Sequence, residues 1–128
     1  MFWPFLFLEP TMAGTTYHII DKSVDTGEIL HNNVPLLERG DGIHDVSTKA
    51  VVAAAKDIKK ITDHVLQRIN DKKLPVKDPT LRFKGKLFCK ADWKPEMLEI
   101  IYDHYDDKIV DLYLDGKIKS RLPKLKKL

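Results

Sequence analysis

The sequence predicts an α/β fold. Three features carry that expectation: two alternating segments near the N-terminus, one long amphipathic run after them, and a proline-broken connector before a smaller second part. The first segment, "TTYHIID" from Thr15, sets Tyr17 and Ile19 on one face and Thr16, His18 and Ile20 on the other. That is the period of two a strand requires. Gly14 permits a sharp entry. "GEILHNNVPL", Gly27 to Leu36, is a second extended stretch with Leu30, Val34 and Leu36 in phase. The two segments flank "DKSVDT" and are expected to pair as antiparallel neighbours across it.

The long helix comes next. "ERGDG" is a turn, and Asp41 is the expected N-cap. Apolar residues then fall at 43, 46, 50, 54, 58, 61, 65 and 69. Steps of three and four throughout specify one buried stripe on a helix of Ile43 to Asn70. Ala53, Ala54 and Ala55 would let its middle approach a sheet closely. "DKKLPVKDPTLRFKGK" holds two prolines and a glycine, an irregular connector that divides the chain into parts of 1–76 and 77–128. In the second part "KPEMLEIIYDHY" reads as a helix opened by Pro95, with Met97, Ile100, Ile101 and Tyr105 at helical spacing. "KIVDLYLDGKI" alternates at Val110, Leu112 and Leu114 and turns at Asp115-Gly116, which reads as a strand or short hairpin.

At 128 residues the chain can bury one core, and 43% hydrophobic residues argue against wholesale disorder. The lone cysteine, Cys89, excludes an internal disulfide framework and suits the cytoplasm. Within "KLFCKADW" it is expected to be packed. The net charge of +3 conceals an asymmetry, because the last twelve residues, "KIKSRLPKLKKL", hold six Lys or Arg and no acid. The body is therefore mildly acidic. The tail reads as a solvated terminus, with an anionic partner as the competing use. "MFWPFLFLEP" has no basic n-region and no cleavage site, and Glu9-Pro10 ends it far short of the roughly 20 apolar residues that span a bilayer. No membrane partner is expected. A chain that starts inside a hydrophobic segment reads as part of something longer.

The five histidines, His18, His31, His44, His64 and His104, show no metal-binding spacing, and no metal is expected. Neither a glycine-rich phosphate loop nor G-x-S-x-G is present. The dense polar constellation is His18, Asp21, Asp25, Thr26 and Gly27. A strand histidine and a carboxylate seven residues on can converge to shuttle a proton or orient a bound group. Gly27 would let the backbone approach a ligand. On spacing alone, a hairpin turn with ordinary solubilising charges explains the same residues more simply.

"GTTYHIIDKSVDTGEI" resembles the signature of the folate-dependent formyltransferases, which act on methionyl-tRNA, glycinamide ribonucleotide and nucleotide-linked amino sugars. In that family a Gly-Thr-x-x-His strand leads into a loop ending in Asp-x-Gly. The resemblance spans about Phe2 to Ile69. "ILHNNVPLLERGD" is similar to the family's return strand, and "FWPFLFLEPTMAG" most resembles its sugar or lipopolysaccharide branch. It implies the C-terminal portion of a Rossmann-like nucleotide-binding sheet with one long helix, followed by a small α/β appendage. By the same resemblance Asp25 is the catalytic aspartate and His18 the strand histidine supporting it. Ile20, Asp21, Lys22, Ser23 and Val24, with Gly27, line the pocket for the pterin of 10-formyltetrahydrofolate, the implied cosubstrate.

The family's reaction is attack of a primary amine on the formyl carbon, with an asparagine and a histidine holding the oxyanion. That Asn-x-His motif occurs nowhere in these 128 residues. It would lie upstream of Met1, so the chain is expected to be the C-terminal part of such an enzyme, with weak or no activity alone. The implied partner is a sugar nucleotide, with tRNA less favoured, and an exposed half-sheet edge would allow a homodimer. Two other readings stand beside this one. The first is a non-catalytic α/β binding or interaction module. The second is a small nucleic-acid-binding protein led by the basic tail, although the sheet residues lack the usual interleaving of aromatic and basic side chains.

Overall fold

The computed structural model describes residues 1–20, 22, 27–73 and 88–128. Its elements in chain order are α1 (Phe2–Leu6), β1 (Thr15–His18), β2 (Ile29–Asn33), α2 (Ile43–Asn70), α3 (Met97–Glu99, continued by a wider π turn over Ile100–His104) and α4 (Ile109–Leu114). Short 3-10 turns lie at Pro10–Met12 and Lys90–Asp92. The architecture is mixed α/β, with a two-stranded antiparallel sheet against one long helix.

The strands pair antiparallel as their alternation predicts, Thr15 opposite Asn33, Thr16 opposite Asn32 and Tyr17 opposite His31. The next pair is His18 with Ile29, so Leu30 is an extra residue and β2 carries a bulge. A bulge breaks the period of two. As a result Leu30 and His31, adjacent in sequence, are both buried. Gly14 is required by close approach, since a Cβ there would lie 2.3 Å from the Asn33 carbonyl oxygen. β2 ends before Val34-Pro35, and Leu36, expected in phase with the strand, is 77% exposed.

α2 has the bounds its periodicity predicts. Ile43, Val46, Ala50 and Ile61 are buried, but Ile58 and Ile69 on the same stripe are more than half exposed. Ile58 faces an open groove beside β1, and length accounts for Ile69. A helix of 28 residues runs about 42 Å, whereas a five-residue strand covers only about 17 Å.

The helix start differs from expectation. Asp41 is not the N-cap, because its buried carboxylate accepts the Glu38 N–H at 2.8 Å and pairs with Lys49. Gly42 is the N-cap residue, and its N–H donates to Asp45 at 2.9 Å. A residue from far along the chain completes the cap: Asp107 accepts the Ile43 N–H at 2.9 Å. Gly42 leaves room for it, since a Cβ there would meet the Asp107 carboxylate at 2.2 Å. A carboxylate at this end also complements the helix dipole.

The second part departs from expectation at two places. "KIVDLYLDGKI" forms α4 rather than a strand or hairpin. Neighbouring Ile109 and Val110 are both fully buried, which a helix turned to the core allows and a regular strand does not. Asp115-Gly116 is a helix end, with Gly116 at φ +71 and its N–H on the Tyr113 carbonyl. Cys89 is exposed rather than packed, because it opens the Lys90–Asp92 turn and directs its N–H and thiol to Asp92. α3 begins two residues past Pro95, with Ile101 inward. The core joins Phe5, Ala13, Ile43, Val46, Ile101, Ile109 and Val110. It draws residues from both sides of the connector, and the boundary expected between 76 and 77 lies outside the described residues.

Candidate functional site

The predicted site lies at the end of the β1–β2 pair, and the backbone there is tightly joined. His18 closes β1, half-buried, with ring Nδ1 3.1 Å from the Ile19 carbonyl oxygen. The Ile19 N–H donates to the Glu28 carbonyl at 2.9 Å. Gly27 lies directly on Ile19, where a Cβ would fall 1.5 Å from the carbonyl oxygen. The space that glycine provides is thus used by the chain's own backbone, where the sequence suggested room for a ligand.

Glu28 ties this end to the rest of the protein. Arg68 on α2 donates to both its carboxylate oxygens, at 3.1 and 3.0 Å, and Lys126 of the tail lies 3.5 Å away. The Arg68 hydrogen bonds hold the Glu28 carboxyl below its ordinary value, outweighing the opposing effect of burial. Beyond the joined backbone, Ile20 is 88% exposed and Lys22 is exposed. Asp25, Asp21, Ser23 and Val24, together with Thr26, lie outside the described residues. The structure therefore places His18 and Gly27 within one residue of a common point, Ile19, and leaves the relation of His18 to Asp25 undescribed.

A second polar group, missed in the sequence, sits between sheet and helix. His31 is 5% exposed, with Nε2 3.5 Å from Asp57 on α2, and its Nδ1 accepts the Leu128 N–H at 3.3 Å. Asn33 also donates to Asp57, and the Tyr17 hydroxyl donates to the Ala54 carbonyl. Burial, aided by the Asp57 charge, pushes the Tyr17 phenol up. Each partner is satisfied, so the group fastens the strands to α2. The available signal was weak: Asp57 follows the Ala53–Ala55 run where the helix was expected to approach the sheet.

Two open cavities flank these residues. A groove of about 520 Å³ runs between β1 and α2, lined by Thr15, Thr16, Tyr17, Val51, Ala54, Ala55 and Ile58. Thr15 Oγ1 is buried without a hydrogen-bond partner among the described residues. A second cavity, about 430 Å³, is lined by His64, Gln67, Arg68, Asp71 and Lys73. Among the described residues no three His, Cys, Asp or Glu side chains gather as metal ligands. Comparison of the chain with protein-family models, with curated proteins and with solved structures finds no match.

Proposed function

We propose that the chain is a formyltransferase-like protein of the cytoplasm whose two strands and long helix belong to a Rossmann-like sheet. The parent reaction transfers a formyl group from 10-formyltetrahydrofolate to a primary amine, with a nucleotide-linked amino sugar favoured over methionyl-tRNA. The observation that supports this is the joined hairpin end. "GTTYHIIDKSVDTGEI" sets its histidine at the end of one strand and its glycine at the start of the return, held together by the Ile19–Glu28 bond and anchored through Arg68.

In this reading His18 and Asp25 handle the proton released by the attacking amine, and Asp25 also accepts a hydrogen bond from the bound folate. Ile20, Asp21, Lys22, Ser23 and Val24 contact the pterin. Gly27 serves indirectly, by keeping the two strands in contact. Because the sequence holds no Asn-x-His motif to receive the oxyanion, the 128 residues alone supply folate contact with weak or no transfer. Titration with a stable 10-formyl folate analogue, read by tryptophan fluorescence, tests the site. Saturable binding by wild type that weakens at least about tenfold in Asp25→Ala, the loss expected for one charge-assisted contact, supports the reading. If wild type fails to bind, the reading is wrong.

The groove beside β1 favours a second reading, a non-catalytic binding module. Its apolar wall of Val51, Ala54, Ala55 and Ile58 needs no chemistry to take a partner. Undiminished folate binding in Asp25→Ala, or none in wild type, would move the weight to it.

A further inference from the structure

The C-terminal tail forms neither helix nor strand, yet it is pinned at both ends. At its start the Ser120 and Thr11 hydroxyls bond each other, and the Arg121 N–H and guanidinium donate to Glu9 at 2.7 and 2.8 Å. At its end the Asn32 N–H donates to the Lys126 carbonyl at 2.8 Å, and Lys126 N–H returns to the Asn32 side chain at 3.1 Å. The Leu128 N–H meets His31, and Lys60 reaches the Leu128 carbonyl at 3.0 Å.

Along residues 119–127 most side chains face solvent. Leu122 is 80% exposed and Leu125 36%. Lys119, Lys124 and Lys127 are exposed and pair with no acid among the described residues, whereas Arg121 and Lys126 are committed to Glu9 and Glu28. Next to the first pin, Phe7 is 54% exposed and stacked on Trp3, and Met12 is 38% exposed. The result is a fixed strip in which exposed apolar side chains alternate with unspent positive charge.

We propose that this strip binds the surface of an anionic lipid bilayer. Lys119, Lys124 and Lys127 would lie on lipid phosphates, and Leu122, Leu125, Phe7 and Met12 would enter the boundary between headgroups and acyl chains. Charge complementarity selects the occupant, since Lys119, Lys124 and Lys127 have no acidic partner among the described residues and residues 117–128 hold no acid of their own. The interleaved leucines select lipid over nucleic acid. A single strand would need a succession of aromatic side chains for base stacking, whereas residues 117–128 have none and Phe7 is the lone aromatic assigned to the strip. Surface binding is distinct from spanning, and no helix among the described residues is long and apolar enough to cross a membrane. Because the strip is already pinned, little ordering opposes association.

Each lysine near an anionic surface strengthens binding about fivefold, so the three together contribute on the order of 100-fold. Sedimentation of the full chain with vesicles of phosphatidylcholine, with and without phosphatidylserine, tests the assignment. Wild type is expected to sediment only with the phosphatidylserine vesicles, and Lys119→Gln/Lys124→Gln/Lys127→Gln to bind on the order of 100-fold more weakly. Leu122→Ser/Leu125→Ser is expected to weaken binding and make it more sensitive to salt. All substituted positions are exposed, and an unchanged circular dichroism spectrum verifies that each variant is folded. Three results overturn the proposal: no sedimentation of wild type, equal sedimentation with both vesicles, or an unaffected triple variant. Tight, salt-dependent binding to single-stranded RNA without vesicle binding would also overturn it and assign the strip to nucleic acid.

Discussion

Gly27→Ala is the sharpest perturbation of the hairpin end. The added Cβ would sit 1.5 Å from the Ile19 carbonyl oxygen, against an ordinary contact of 3.4–4 Å, so the two backbones must part by about 2 Å. That motion breaks the 2.9 Å bond from Ile19 to Glu28, a loss of about 1 kcal/mol. Steric rearrangement adds about 1–3 kcal/mol. Alanine also restricts the unfolded chain, which offsets about 0.4–1 kcal/mol. The net expectation is destabilisation by about 1–3 kcal/mol, a fall in urea midpoint of about 1–2 M for a domain of this size. Urea unfolding followed by tryptophan fluorescence and far-ultraviolet circular dichroism measures it. An unchanged or raised midpoint would show that the strands are not held in contact at Gly27, and the anchoring role assigned to it would fall.

Glu28→Gln removes the charge that Arg68 grips, and at pH 7 it should cost about 1.5–3 kcal/mol. The carboxyl of Glu28 lies below its ordinary 4.5 in the folded protein. Its contribution is thus complete above that value and is lost as pH falls through the lower folded one, so the gap between wild type and variant should close on acidification. Midpoints compared across pH will show this, and a gap that persists in acid would refute the ion pair as its source. Asp107→Ala should cost about 2 kcal/mol, about half from the lost cap and half from alanine at φ +50, whereas Asp107→Asn should keep most of the stability. Thermal unfolding of the two variants decides; equal losses would contradict this division.

What the sequence disclosed follows the range of the forces involved. α2 was legible because sustained periodicity over 28 residues has one simple solution. The strand pair was legible for the same reason at a period of two. α4 was misread because Asp115-Gly116 suits both a hairpin turn and a helix end, and a six-residue element is too short for periodicity to decide. Three features depend on partners distant in sequence and so left little local trace: the Leu30 bulge, the His31–Asp57 contact and the cap from Asp107. Around the candidate site, His18, Ile20, Lys22 and Gly27 could be placed. The function of Gly27 emerged only when its neighbour across the pair proved to be Ile19 itself.

The cap that Asp107 places on Ile43 has a consequence for how the chain is handled. The longest helix has its first turn completed by a residue 64 positions away, and Ile101, Ile109 and Val110 share its core. A fragment ending after α2 would lose both, leaving an open helix start and an uncovered apolar face. Dividing the chain at its connector should therefore yield two aggregation-prone pieces rather than two domains. Mixing those pieces should restore structure only through their association, a complementation that can be titrated. The connector separates the chain in sequence, while Asp107 makes its two sides one cooperative unit.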